Sequence, residues 1–251
     1  MNTVFRKYTL RESYAFGGGF NNPNSMGMML FLICTDILLL QHSGSGFRGR
    51  VLGVCLVFTL LILLLAGTRT AAVLTILAGG LLLLYSRGGF RGRFWRKWGW
   101  LVPLAAAAGS FLACYAYRAG WPGSEGFNTL VTGRLAHLNA FISRHDVTLF
   151  GREVVYLSSA GARELGLPIT VCDNVYVYLL HNLGLVPFLG WLWVMVRTAA
   201  DLLRRDAVKA WLMFCIMLLY GFMENTMANV MFFPFVFYCA RAMFQKDGDD
   251  I

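Results

Sequence analysis

The chain carries an almost unbroken apolar stretch from Val51 to Tyr85. As one α-helix its roughly 35 residues would reach about 52 Å, against about 30 Å for the hydrocarbon core of a bilayer. The stretch must therefore double back. Gly67-Thr68-Arg69-Thr70 is the polar interruption where it can do so. The expectation is a helical hairpin with Arg69 at its tip, at the membrane surface. Composition points the same way. Hydrophobic residues are 57% of the 251 and charged residues 14%, where soluble domains run at about 45–50% and about 25%. A disordered chain, a coiled coil and a small disulfide-stapled module are excluded, and a soluble enzyme is disfavoured.

Six further apolar segments or half-segments complete the pattern. They give seven expected spans: Ser25–Gln41, the two arms of 51–85, Trp98–Tyr117, Val175–Val196, Trp211–Met223 and about 228–244. The fold class expected is an all-α polytopic bundle, a single membrane domain over 1–251. One long loop, 118–174, contains short helices. The densest basic run is Arg87, Arg91, Arg93, Arg96 and Lys97. By the positive-inside rule it is cytoplasmic. Arg48, Arg50, Arg197, Arg204, Arg205, Lys209 and the C-terminal tail then lie inside, and Arg69, the long loop and Glu224 lie outside. The N-terminus also falls outside, although it carries Arg6, Lys7 and Arg11. The chain has 22 Lys+Arg against 13 Asp+Glu, a formal net charge of +9. That excess sets topology and meets anionic lipid, and it does not call for nucleic acid. Cys34, Cys55, Cys114, Cys172, Cys215 and Cys239 show no C-x-x-C spacing, so neither a zinc site nor a disulfide framework is read.

The long loop is the informative region. Leu135, Leu138 and Ile142 recur at helical spacing behind Thr132, a plausible N-cap. A short amphipathic helix lying on the outer membrane surface is expected, with Arg134, His137 and Phe141 along one flank. Leu149-Phe150-Gly151 follows, and then Asp173-Asn174 at the mouth of the fifth span.

Five motifs in order resemble the bacterial O-antigen polymerase and ligase superfamily. They are Arg11 with Phe16-Gly17-Gly18-Gly19-Phe20-Asn21-Asn22-Pro23-Asn24, the Gly67-Thr68-Arg69-Thr70 tip, the Thr132-Gly133-Arg134 helix start, Leu149-Phe150-Gly151, and Asp173-Asn174 ahead of Leu183-Gly184-Leu185-Val186-Pro187-Phe188. Each is weak alone. The matched part corresponds to the C-terminal portion of members with ten or more helices. The resemblance implies a membrane glycosyltransferase that builds O-antigen, capsule or exopolysaccharide. It would transfer glycan from undecaprenyl diphosphate to a sugar hydroxyl of a second lipid-linked unit, in company with chain-length regulator and flippase proteins. It implies catalytic roles for Arg69, Arg134 and Asp173. Arg11, Asn24, His137, Asn174 and Glu224 would bind substrate. Arginine suits the leaving diphosphate because its planar fork grips phosphate oxygens in pairs. No Asp-x-Asp element appears in the outer loop, so the expected transfer uses no metal and no cofactor. Asp173 stands where ligases carry His before Asn, which favours polymerase over ligase.

Plainer readings stand beside these. Arg69 can anchor a hairpin tip at the headgroups. Arg134 can be a surface arginine of little structural weight. Asp173 can cap the fifth span, and Glu224 can be a polar helix end. Two other functions remain open, a transporter or flippase of an anionic or lipid-linked solute and a non-catalytic membrane remnant. Broken helices would favour the transporter.

Overall fold

The computed structural model describes residues 5–8, 13–16, 23–42, 44–90, 92–154, 172–229 and 233–244. The elements run β1 (Phe5–Tyr8), β2 (Ser13–Phe16), α1 (Pro23–Leu40), α2 (Phe47–Leu61), α3 (Arg69–Ser86), α4 (Arg93–Trp98), α5 (Val102–Arg118), α6 (Ser124–Leu130), α7 (Arg134–Ile142), α8 (Val175–Leu183), α9 (Leu185–Arg204), α10 (Val208–Met223) and α11 (Val236–Phe244). The fold is helical, as expected, except for one antiparallel hairpin that pairs Phe5 with Phe16 and Tyr8 with Ser13. Four helices are long and apolar enough to cross a membrane: Phe47–Ala66, Arg69–Ser86, Arg93–Arg118 and Leu185–Arg204. Shorter apolar helices cover Asn24–Leu40 and Val208–Met223. Leucines such as Leu56 and Leu64 stand 63% and 76% exposed on these rods, a cost that only a lipid surround removes. The chain is a membrane protein.

Two compact units divide the chain. The first comprises Met1–Lys97 with Leu202–Ile216. Its centre is the helical hairpin. α2 widens into a π-turn over Ile62–Ala66 and stops at Gly67, φ 65°, whose N–H donates to Ile62 O at 2.9 Å. Thr68 is extended, and α3 starts at Arg69. The expected reversal thus occurs at the expected glycine. α1 crosses this tip so closely that a Cβ at Gly27 would strike the Thr68 side chain. At the other end, Lys209 Nζ donates to Leu39 O (3.1 Å) and Gln41 O (2.7 Å), so a cation satisfies the last carbonyls of α1. Trp95 packs on Phe90 and Trp211, with ring centroids 5.1 and 5.8 Å away. That leaves Arg93 and Phe94 of α4 exposed.

The second unit comprises Trp98–Asp201 with Met217–Ile251. α7 begins one residue later than its expected cap. Gly133, φ 80°, is the N-cap, and Thr132 itself has a positive φ. The larger difference concerns the apolar face of α7. Leu135, Leu138 and Phe141 are 2%, 4% and 1% exposed, and they pack with Cys114 of α5 and Val177 of α8. The face is buried in protein and does not lie on lipid.

The apolar run 175–196 is also not one helix. It breaks at Gly184, between α8 and α9. The Leu149-Phe150-Gly151 turn crosses the break. Leu185 N donates to Thr148 O at 2.8 Å, Val186 N to Leu149 O at 3.0 Å, and Arg152 N to Asn182 O at 3.2 Å. The loop thus satisfies backbone groups that the break would leave open inside an apolar medium. The last expected span, 228–244, contains only α11 with nine residues, a rise of about 14 Å.

Candidate functional site

Three polar side chains from distant parts of the sequence meet in the second unit. Arg134 opens α7, Asp173 precedes α8, and Glu224 follows α10. Arg134 Nη2 donates to Glu224 Oε1 at 2.7 Å. Arg134 Nη1 lies 3.9 Å from Asp173 Oδ2 and makes no hydrogen bond. The three side chains are 18%, 36% and 8% exposed, in the order Arg134, Asp173, Glu224. A cavity of about 10 Å³ adjoins them, lined by Arg134, His137, Asp173, Asn174, Phe222 and Met223. It has room for one water molecule.

Local sequence explains each placement. The left-handed residues Thr132 and Gly133 end the previous turn, so that α7 starts at Arg134. Asn174, not Asp173, caps α8. Its Oδ1 accepts from Tyr176 N and Val177 N, both at 3.1 Å. Its Nδ2 donates to Ser110 Oγ at 2.8 Å and Phe222 O at 3.1 Å. All four hydrogen-bonding positions of the amide are used. Asn174 therefore has nothing left for a ligand, and the expected substrate role becomes a structural one. The cap falls to Asn174, which frees Asp173 to face the cavity. Asn174→Ala is expected to cost about 2–4 kcal/mol, from a lost cap and stranded buried partners. Thermal unfolding of the solubilised protein measures it. Asp173→Ala in the same assay should shift stability by less than about 1 kcal/mol.

The charges are strongly coupled. Burial raises the Glu224 carboxyl, Arg134 pulls it back, Asp173 pushes it up again, and the balance is about 7. Burial also raises Asp173, against the pull of Arg134 and His137. Burial works against the Arg134 charge, yet Glu224 and Asp173 more than offset it, and the guanidinium ends above its ordinary value. Arg134 is therefore no dispensable surface arginine. Removing one partner of such a buried pair typically costs about 3–5 kcal/mol.

A pH signature follows. The folded chain keeps the Glu224 proton up to about pH 7, whereas the unfolded chain releases it near 4.5. Between those values the folded state binds more protons, so stability falls as pH rises through that window. Unfolding temperatures measured across this window should decline in the wild type and flatten in Glu224→Gln.

The remaining expected residues lie elsewhere or outside the described residues. Arg69 is exposed as the first residue of α3, and Asn24 lies in the first turn of α1, both in the first unit. Arg11 lies outside the described residues. His137, one turn after Arg134, lines the cavity. Two residues escaped the sequence reading. Ser110 in the Ala-rich α5 anchors Asn174. Tyr220, 1% exposed, faces Glu224 and Arg134 and donates its carbonyl to Glu224 N at 3.0 Å. The i, i+4 spacing of Tyr220 and Glu224 was the available signal. No protein-family model matches the chain, and no curated protein or solved structure matches it either.

Proposed function

We propose that the chain is a membrane glycosyltransferase of the polymerase type, which moves a glycan from a polyprenyl diphosphate to a sugar hydroxyl at the membrane surface. The observation that supports this reading is the meeting of Arg134, Asp173 and Glu224 from segments about 40 and 90 residues apart. Two carboxyls raised toward neutrality suit the acceptor half of such a transfer. A raised carboxylate accepts a hydroxyl proton more readily than an ordinary one. Asp173, the more exposed of the two, takes the proton. Glu224 and Arg134 hold it in place. Arg69, an exposed cation at the start of α3, is the candidate for the leaving diphosphate. No residue in this scheme requires a metal or a cofactor.

The same reading places the protein in the inner membrane of a bacterium, multi-pass, with the basic 87–97 segment and the C-terminus cytoplasmic and the Arg134 site outward. Its partners are lipid-linked oligosaccharide, membrane lipid, and flippase and chain-length regulator proteins.

Deleting the gene and running the lipid-linked glycan on a gel tests the assignment. A polymerase deletion leaves single repeat units. A ligase deletion leaves long chains unattached, and an unchanged ladder ends the reading. The break at Gly184 favours a second reading, a transporter of an anionic solute, because broken helices line transport sites. In that case the deletion strands substrate on the inner face, and no single units reach the outside.

A further inference from the structure

The resemblance assigns Arg134 to the diphosphate of the donor. The local charge arrangement argues otherwise. Arg134 Nη2 is already engaged by Glu224 Oε1 at 2.7 Å, and Nη1 faces Asp173 Oδ2 at 3.9 Å. One guanidinium thus serves two carboxylates, both inside the reach of any ligand in the adjoining cavity. An incoming diphosphate would meet these two carboxylates as well as the one cation. At such separations, in a partly desolvated site, like-charge repulsion is as strong as the attraction it opposes. A hydroxyl fits the same atoms well. It can donate to Asp173 Oδ2 and accept from Nη1, the one buried Arg134 nitrogen that makes no hydrogen bond. The spacing of 3.9 Å between those two atoms is too long for a direct hydrogen bond and leaves room for a bridging oxygen.

We infer that the Arg134–Asp173–Glu224 cluster is a subsite for an uncharged, hydroxyl-rich ligand, the acceptor sugar, and that it excludes the diphosphate. Within it Arg134 is a positioning residue that holds the two carboxylates. Asp173 Oδ2 receives the proton of the ligand hydroxyl as that oxygen bonds to the anomeric carbon and the diphosphate leaves with the electron pair of its bond. The inference rests on the glycosyl-transfer reading and names which substrate this half of the site serves.

Titration of the full chain, in nanodiscs of zwitterionic lipid, with inorganic pyrophosphate tests the exclusion. Arg134→Gln should change pyrophosphate affinity by less than about twofold, because the cation is already spent on carboxylates. Asp173→Asn/Glu224→Gln should raise it at least about tenfold by releasing that cation, and adding Arg134→Gln should abolish the gain. If the double variant does not fold, Asp173→Asn alone carries the test, with a gain of about threefold. A tenfold loss in Arg134→Gln overturns the inference, and so does the absence of any gain on neutralising the carboxylates. Saturation-transfer NMR with a mixture of neutral methyl glycosides supplies the positive arm. Contact is expected with the wild type and not with Asp173→Ala; no contact with the wild type also overturns it. Pyrophosphate binding that depends on Arg134 leaves the transferase reading intact. A gene deletion without effect on polymer removes that reading and leaves the binding results to stand by themselves.

Discussion

Gly184→Ala is expected to cost more than about 4 kcal/mol and to leave little folded protein. Gly184 sits at φ 89°, ψ 174°, a region that essentially only glycine occupies. A Cβ there would strike Gly151 N and come within 2.6 Å of Leu149 O, both backbone atoms. Neither can retreat, because the N–H groups of Leu185 and Val186 hold the 148–149 carbonyls in place. Gly151→Ala meets the mirror problem. At φ 79° its Cβ would strike Asn182 O. Gly190→Ala is the control. No atom lies within 4 Å of its Cβ position, so the change should be neutral or stabilising by about 0.5–1 kcal/mol. Size-exclusion profiles and thermal unfolding of the detergent-solubilised variants separate these outcomes.

The second large effect is chemical. Asp173→Ala is expected to reduce polymer formation by about 10²–10³-fold at unchanged protein level, as the loss of a general base typically does. Asp173 is more than a third exposed and caps nothing, so folding should tolerate the change. Its neighbour behaves in the opposite way: Asn174→Ala lowers the amount of folded protein. Activity per folded molecule should rise with pH from the acid side, since the raised carboxyl must lose its proton to act. A gel of lipid-linked glycan, normalised to membrane protein level, reads both. Normal chain length in Asp173→Ala would remove that residue from the chemistry.

The two adjacent residues also show what could be read from sequence. Asp and Asn are both good N-caps, and nothing in their order says which one turns inward. The structure decides it through Ser110, 64 residues away. The hairpin was legible because length against bilayer thickness forces a reversal and Gly67 permits it. The break at Gly184 was not, although Gly184 and Pro187 were in view, because the stretch is apolar on both sides. The cause is tertiary, a loop drawn from residues 148–152. The α7 helix was visible in its periodicity. Hydropathy could not say whether its leucines face lipid or protein, since both are apolar surroundings. Glu224 was read as a residue that could face the site or simply end a helix. Its 2.7 Å contact with Arg134 is set by packing, not by any local pattern.

The π-turn before Gly67 bears on how the hairpin tip could change over generations. A π-turn amounts to one residue inserted into an α-helix. Losing a single codon between Ile62 and Ala66 would restore regular α geometry and keep the rod intact. It would also rotate everything beyond by about 100°. Arg69, the first residue of the returning helix, would then point away from its present direction with no change in its own neighbours. The bearing of that cation is thus written in the phase of the helix before it, where a one-residue deletion can redirect it and a one-residue insertion can bring it back.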